Sequence, residues 1–261
     1  MSSSLSVTTE AVGAVFVIRL NDPKALNALS VEMVEALMEA FSLACHSKRA
    51  ILLTGSGRAF CSGVNLRSVK IDFDGDYDGG VLLESHFNPL MMRIRDLPIP
   101  LVTAVNGAAV GIGSTIALAG DIIVAAQQAY FLQAFQQVGI APDGGTAYVL
   151  AKAVGRVRAM EMMLLGERIS AAKALEWGLI NRVTADDDIE RVALDMARSL
   201  ASGPTKALGE IRKSCWDALE AGFSEKLSKE RVVQRELGKT ADHREAVAAF
   251  MEKRSPIFSG R

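Results

Sequence analysis

In IAPDGGTAY, residues 140–148, one carboxylate sits between a proline and two glycines, and Asp143 is the only charged side chain between Asp121 and Lys152. Two readings of it have opposite chemical consequences. As the N-cap of a helix starting at the glycines, Asp143 would be held by orphan backbone N–H groups, which depress its pKa and make it a poor base. In an apolar pocket without such contacts, desolvation would raise the pKa toward the range in which a carboxylate exchanges protons near neutrality. At this level both stay open.

Two further places carry glycines where a strand hands over to a helix. One is FCSGVN, Phe60 to Asn65; the other is Asn106-Gly107 followed by Gly111, Ile112 and Gly113. Glycine tolerates positive φ and close backbone approach, so each turn could aim free N–H groups of a helix start at one anionic oxygen. Two such groups make an oxyanion hole. The same glycines also suit plain close packing of helix on sheet. Cys61 lies beside the first turn, but without a histidine neighbour it reads as a small buried hydrophobe. His86 and Glu84, next to the irregular stretch 65–89, are candidates for lining the pocket or assisting there.

The elements that must position these residues alternate. Ala14 to Leu20 reads as a strand closed by the turn NDPK, and Ser30 caps a helix with Met33, Leu37, Ala40 and Phe41 on one face. Arg49 to Thr54, LVTAV at 101–105, DIIVAA and AYFLQA read as short buried strands, each leaving through a turn toward a helix. This is an α/β pattern with a sheet covered on both sides. From Arg156 the chain reads as helical, and Pro204 divides an α/β core, 1–203, from a helical region, 204–261. DFDGDYDGG at 72–80, with four aspartates, reads as a solvated loop or a lid beside a pocket.

Composition removes several function classes. The 29 basic and 30 acidic residues are mixed along the chain, without the basic stripe a nucleic acid requires. Cys45, Cys61 and Cys215 are far apart, which speaks against a disulfide framework or a zinc site and for a reducing cytoplasm. No metal site is expected. The first ten residues lack a secretory pattern. Ile99 to Gly120 is uncharged but interrupted by Pro100, Asn106 and its glycines, so it reads as strand, turn and buried helix rather than a membrane span.

Five segments in order resemble the crotonase, or enoyl-CoA hydratase/isomerase, family: NDPKALNAL at 21–29, ILLTGSGRAFCSGVNL at 51–66, VTAVNGAAVGIGSTIALAGDI at 102–122, GIAPDGGTAYVLAKAVG at 139–155 and HREAVAAFMEKRSPIFSG at 243–260. The resemblance implies a spiral of ββα units followed by helices, and assembly as trimers or dimers of trimers. It implies an acyl-CoA thioester as substrate, with no permanently bound cofactor. By that resemblance the oxyanion hole is the backbone N–H groups of Val64 and Ile112, with Thr115 and Phe135 at the acyl pocket; Gly111 and Cys61, on the glycine turns, and His86, between the irregular loop and Pro89, are placed around the same pocket by their positions in the sequence. Lys24, Ala25 and Leu26 match the turn along the CoA nucleotide. Phe250 and Lys253 match C-terminal positions that reach a CoA, sometimes in a neighbouring subunit.

The departures from the hydratases carry the functional expectation. Their two water-activating glutamates match Thr115 and Phe135 here, and neither can act as an acid or base at neutral pH. Asp143 remains, at the position that acts in several isomerase branches. The closest pattern is the phenylacetate-pathway branch that isomerises ring-1,2-epoxyphenylacetyl-CoA, whose aspartate-glycine segment and C-terminal tail are matched. The expectation is an isomerase with one carboxylate as acid and base. The alternatives are a hydratase-like enzyme of altered specificity, an aryl-CoA dehalogenase with Asp143 as nucleophile, and a catalytically silent acyl-CoA-binding protein.

Overall fold

The computed structural model describes residues 6–68, 75 and 78–261. Its first strands, β1 (Val7–Val12) and β2 (Val15–Leu20), form an antiparallel hairpin that turns at Gly13, whose φ of 59° favours glycine. After α1 (Val31–Ser47) come β3 (Ala50–Gly55) and β4 (Ala59–Cys61), then α2 (Asn88–Arg95), entered through a wide helical turn at Leu83–Phe87. β5 (Leu101–Val105), β6 (Ala108–Val110) and α3 (Ile112–Leu118) follow, then β7 (Ile122–Ala126), β8 (Tyr130–Leu132) and α4 (Thr146–Leu165). The remainder is β9 (Ile169–Ser170), α5 (Ala171–Glu176), β10 (Arg182–Thr184), α6 (Ile189–Ser202), α7 (Thr205–Ala218), α8 (Phe223–Leu237) and α9 (Ala241–Glu252).

Two sheets result, in the orders β1-β2-β3-β5-β7-β10 and β4-β6-β8-β9. The chain lays one strand in the large sheet, the next in the small sheet, and then a helix: β3–β4–α2, β5–β6–α3, β7–β8–α4. This is a ββα spiral. The large sheet is parallel from β2 onward. Every residue of β3 and β5 is buried, as a parallel sheet covered on both faces demands of continuous apolar runs such as AILLTG and LVTAV. α1 contributes Met33, Leu37, Ala40 and Phe41 to that core, and Ser30 caps it by accepting from the Met33 N–H.

Five strands escape the sequence reading. β1, β4, β6, β9 and β10 are exposed at an edge or only two or three residues long, too short for alternation to register. The helical stretch expected from Arg156 begins ten residues earlier, at Thr146, and bends at Gly155, whose φ of 75° breaks α4. Of the 72–80 loop, only Gly75 and Asp78 to Gly80 are among the described residues, and the expected lid lies outside them.

The helices after Pro204 are tied to the sheet by two arginines. Arg212 of α7 is buried and donates to Asp121 Oδ2 at 2.8 Å, to the Leu97 carbonyl at 3.0 Å, and to the carbonyls of Ile94 and Arg95. It thereby caps the last turn of α2, whose carbonyls have no intrahelical partners. Arg49, just before β3, donates to Thr205 Oγ1 and to the carbonyls of Gly203 and Phe258. The C-terminal residues run back along α9, where Asp242 accepts from the N–H groups of Ser259 and Gly260.

Candidate active site

β4, β6 and β8 are adjacent and parallel, so their C-terminal ends lie side by side. The residues that leave those ends are Gly63-Val64, Gly111-Ile112 and, two residues past Gln133, Phe135. In sheets of this kind ligands bind outside the carboxyl ends of the strands. The topology therefore gathers at one edge three positions about 70 residues apart in sequence from first to last.

The hydrogen bonds there show where two N–H groups point. Leu29 and Val64 form an isolated parallel bridge in which Leu29 donates to the Gly63 carbonyl and accepts from the Asn65 N–H. In that pattern the N–H of Val64 itself faces away from Leu29. Ile112 is the first residue of α3, so its N–H has no intrahelical acceptor. Gly111 makes the turn into α3 with φ 54° and ψ −131°, a conformation open to glycine.

Glycines also set the spacing between the two turns. A Cβ on Gly63, where φ is 93°, would meet the Val110 carbonyl at 3.0 Å, and one on Gly113 would lie 2.5 Å from the Cys61 carbonyl and 2.6 Å from its sulfur. Contacts that short are forbidden, so α3 reaches β4 only because Gly113 has no side chain. Cys61 is sealed beneath it, and burial pushes its thiol up to about 12, so it stays protonated and serves packing.

Asp143 enters from the opposite side. A Cβ on Gly144 would lie 2.9 Å from the Ile112 side chain and 3.7 Å from Met91, so the Asp143–Gly145 turn rests directly on Ile112. The N-cap of α4 is Gly145, and no side chain caps this helix. Asp143 instead offers its backbone carbonyl, which accepts from the Thr146 N–H at 2.9 Å and the Thr146 hydroxyl at 2.7 Å. Its carboxylate oxygen Oδ1 is buried with no hydrogen-bond partner. Burial raises the Asp143 pKa from 3.8 to about 6, offset only in part by its own N–H. Of the two readings of IAPDGGTAY, the helix cap is corrected: the side chain does not cap.

Thr115 is buried on α3, with its hydroxyl 2.5 Å from that of Thr146 and 3.4 Å from the Gly111 carbonyl. Phe135 is buried, with its ring edge 3.9 Å from where a Cβ on Gly111 would stand. Those two positions lie beside the Gly111 turn and hold no carboxylate. The turn Lys24–Leu26 is held against the first glycine turn: Ser62 donates through its N–H to the Leu26 carbonyl and through its hydroxyl to that of Ala25. Asn27, fully buried with φ 55°, fastens it by donating to the carbonyls of Ser56 and Ala59. Lys24 is exposed beside it.

Four sequence candidates are not brought to this edge. His86 has its Nδ1 2.7 Å from Ser85 Oγ and its Nε2 3.9 Å from Glu35 of α1, so it is turned toward α1. Phe250 and Lys253 are exposed at the end of α9, and the ties of that segment run to Arg49, at the opposite end of β3 from the glycine turns. Glu84 is exposed on the wide turn before α2. Conversely, sequence reasoning passed over Thr146, Met91 and Asn27. Thr146 had a signal, a hydroxyl residue three positions after an aspartate at a helix start; Met91 had none. Among the described residues no cluster of His, Cys, Asp and Glu could hold a metal ion, and no helix is long and apolar enough to cross a membrane.

Comparison with known proteins agrees with this geometry. Residues 10–261 match the family profile described as enoyl-CoA hydratase/isomerase. The chain is 42% identical to the 1,2-epoxyphenylacetyl-CoA isomerase of Escherichia coli over 95% of both chains. It is also 42% identical, over 94% of both, to a Rhodobacter capsulatus protein named "Probable enoyl-CoA hydratase". A crystal structure of an enoyl-CoA hydratase from Polaromonas superimposes with a TM-score of 0.90 at 32% identity, covering 97% of this chain and 99% of that one.

Proposed function

Because the chain belongs to the enoyl-CoA hydratase/isomerase family and is an enzyme of the crotonase superfamily, whose members act on CoA thioesters, we propose that it isomerises an unsaturated or ring-epoxide acyl-CoA with Asp143 as its single acid and base. The observation that carries this reading is the buried, unpartnered carboxylate oxygen of Asp143 on a turn seated against Ile112. A carboxylate with one buried oxygen unpartnered and poised near 6 accepts a proton at neutral pH and returns it, which a capping aspartate could not do.

With the thioester carbonyl oxygen between the N–H groups of Val64 and Ile112, Asp143 removes a proton from C2 and becomes a carboxylic acid. The C2–H electron pair moves into the thioester as an enolate, which the two N–H groups stabilise. The acid then gives the proton back at C4, the double bond shifts into conjugation, and the carboxylate is restored. For a ring-epoxide substrate the same enolate-stabilising hole supports the rearrangement. Water addition needs a second group to activate water, and Thr115 and Phe135 offer none: the Thr115 hydroxyl is bonded to Thr146 and the phenyl ring has no proton to exchange.

We further infer a trimer or a dimer of trimers in the cytoplasm. Phe250, Met251 and Ile257 are 80%, 74% and 82% exposed on one C-terminal segment, as is Phe223 at 80%. Apolar side chains of that size left this exposed favour cover by another chain. In this arrangement Phe250 and Lys253 complete the CoA site of a neighbour, and Lys24 with the Ala25–Leu26 turn holds the nucleotide within the same subunit.

The test is conversion of trans-3-hexenoyl-CoA to the conjugated trans-2 isomer, together with deuterium uptake at C2 and C4 in deuterated buffer, beside a parallel assay for hydration and a ring-epoxide thioester. Isomerisation and exchange are expected. Hydration of the trans-2 thioester with neither isomerisation nor exchange on any substrate would overturn the reading in favour of a hydratase, and binding without exchange would make the protein catalytically silent.

A further inference from the structure

The turn that carries Asp143 is built on two glycines in succession. Gly144 and Gly145 both have positive φ, 57° and 79°, and no side chain caps the helix that follows. Glycines in succession leave the chain many conformations, yet a proton-transferring group must be held close to its productive position. Something other than the turn must hold the carboxylate.

Two hydroxyls are placed to do so. Thr146 has a single hydroxyl proton, and it is given to the Asp143 carbonyl at 2.7 Å. The 2.5 Å contact between Thr115 Oγ1 and Thr146 Oγ1 must then be donated by Thr115. The Gly111 carbonyl, 3.4 Å from Thr115 Oγ1, is the weaker acceptor for the Thr115 proton, so the shorter contacts favour the order Thr115 O–H to Thr146 Oγ1, Thr146 O–H to Asp143 C=O. Both threonines are 1% exposed, so neither bond competes with solvent. Thr115 stands on α3, one turn past Ile112, and the N–H groups of Ser114 and Thr115 both bond to the Gly111 carbonyl. The relay thus starts on the helix that supplies one donor of the hole and ends on the residue that supplies the base.

We propose that Thr115 and Thr146 are positioning residues whose ordered hydroxyl pair, linking α3 to the Asp143–Gly145 turn, fixes the Asp143 carboxylate relative to the Ile112 N–H. The inference rests on the isomerase reading and deepens it. It gives Thr115, at a site where a water-activating carboxylate would otherwise border the hole, a function of its own. A relaxed turn would let the carboxylate swing toward water, which moves it away from the α carbon and removes the burial that raises its pKa.

The experiment compares Thr115→Val, nearly the same shape without a hydroxyl, with Thr115→Ser, which keeps the hydroxyl, on trans-3-hexenoyl-CoA across pH 4 to 9, alongside Asp143→Asn. Thr115→Val is expected to lower kcat by about 10-fold or more with KM within about 2-fold, and to move the acid limb of the rate profile from about 6 toward the ordinary carboxylate value. Thr115→Ser is expected to stay within about 3-fold of wild type with the limb in place. Thr146→Val and Thr146→Ser repeat the comparison from the other end. Unchanged kcat and acid limb in both valine variants would overturn the proposal. So would serine variants as impaired as the valines, which would assign the effect to shape, or valine variants that do not fold, which would assign the hydroxyls to the fold. If Asp143→Asn kept wild-type activity, the isomerase reading would fail first. If Asp143→Asn were inactive and Thr115→Val normal, only the positioning role would fall.

Discussion

Asp143→Asn separates catalysis from stability because the two should respond in opposite directions. The folded pKa of about 6 lies above the ordinary 3.8, so between those values the native state binds the proton more tightly than the unfolded chain. Stability is therefore greatest below about pH 4 and declines as pH rises through about 6, where the buried carboxylate must ionise. The gap is about two pH units at about 1.4 kcal/mol each, or roughly 3 kcal/mol, and solvent reaching this half-buried group reduces it to about 1–2 kcal/mol. Asparagine does not ionise. Relative to wild type, the variant should gain about 1–2 kcal/mol between pH 4 and pH 8, a rise in Tm of about 2–6 °C for a chain of this size. On the plateau above about pH 7 its isomerisation should be at least about 10²-fold slower, a gap that closes toward pH 4 as the wild-type carboxylate protonates, while acyl-CoA binding through the Val64 and Ile112 N–H groups persists. Wild-type kcat/KM should rise with pH to a plateau, with its midpoint at about 6. Thermal melts at the two pH values and rate profiles on the same preparations measure both. A variant that loses stability on going from pH 4 to 8 relative to wild type, or that isomerises at near-native rate, would refute the assignment of an unpaired, buried base.

Gly113→Ala should drive α3 off β4, since its Cβ would stand 2.5 Å from the Cys61 carbonyl; misplacing one oxyanion donor is expected to cost about 10²–10³ in kcat, and a folded variant with native kcat would contradict the hole. Arg212→Met removes the charged partner of Asp121, which keeps only the Leu101 N–H, and the donor to three carbonyls at and just after the end of α2, which should destabilise by about 3–5 kcal/mol in denaturant titrations; a loss under about 1 kcal/mol would show that the helical tail docks without it. Phe250→Asp, at a site 80% exposed in the single chain, should lower the mass seen by light scattering and raise KM for acyl-CoA, whereas an unchanged assembly and KM would remove Phe250 from both interface and CoA site.

The local chemistry of this protein is written in its sequence. AVFVIRL, AILLTG and LVTAV are apolar enough to be buried strands whatever surrounds them, Ser30 caps a helix through its own side chain, and Gly111 and Gly113 mark a turn only glycine allows. Five ordered motifs carried the family and, with it, Val64, Ile112 and Asp143 as candidates. Of the small sheet only β8 was legible, in AYFLQA; β4, β6 and β9, two or three residues long, were not, because their pairing is non-local and too short for a period to show. The alignment of β4, β6 and β8, which brings residues 64, 112 and 135 to one edge, is a property of that pairing alone. Nor could the sequence decide what Asp143 does. An aspartate before two glycines at a helix start fits a cap as well as a base, and the difference lies in burial and in which atom takes the hydrogen bonds. Those depend on Thr115, Met91 and Ile112, brought against the turn by helices distant in sequence: the threonine pair engages the Asp143 carbonyl, Gly145 takes the cap position, and the carboxylate is left largely desolvated with its Oδ1 unpartnered.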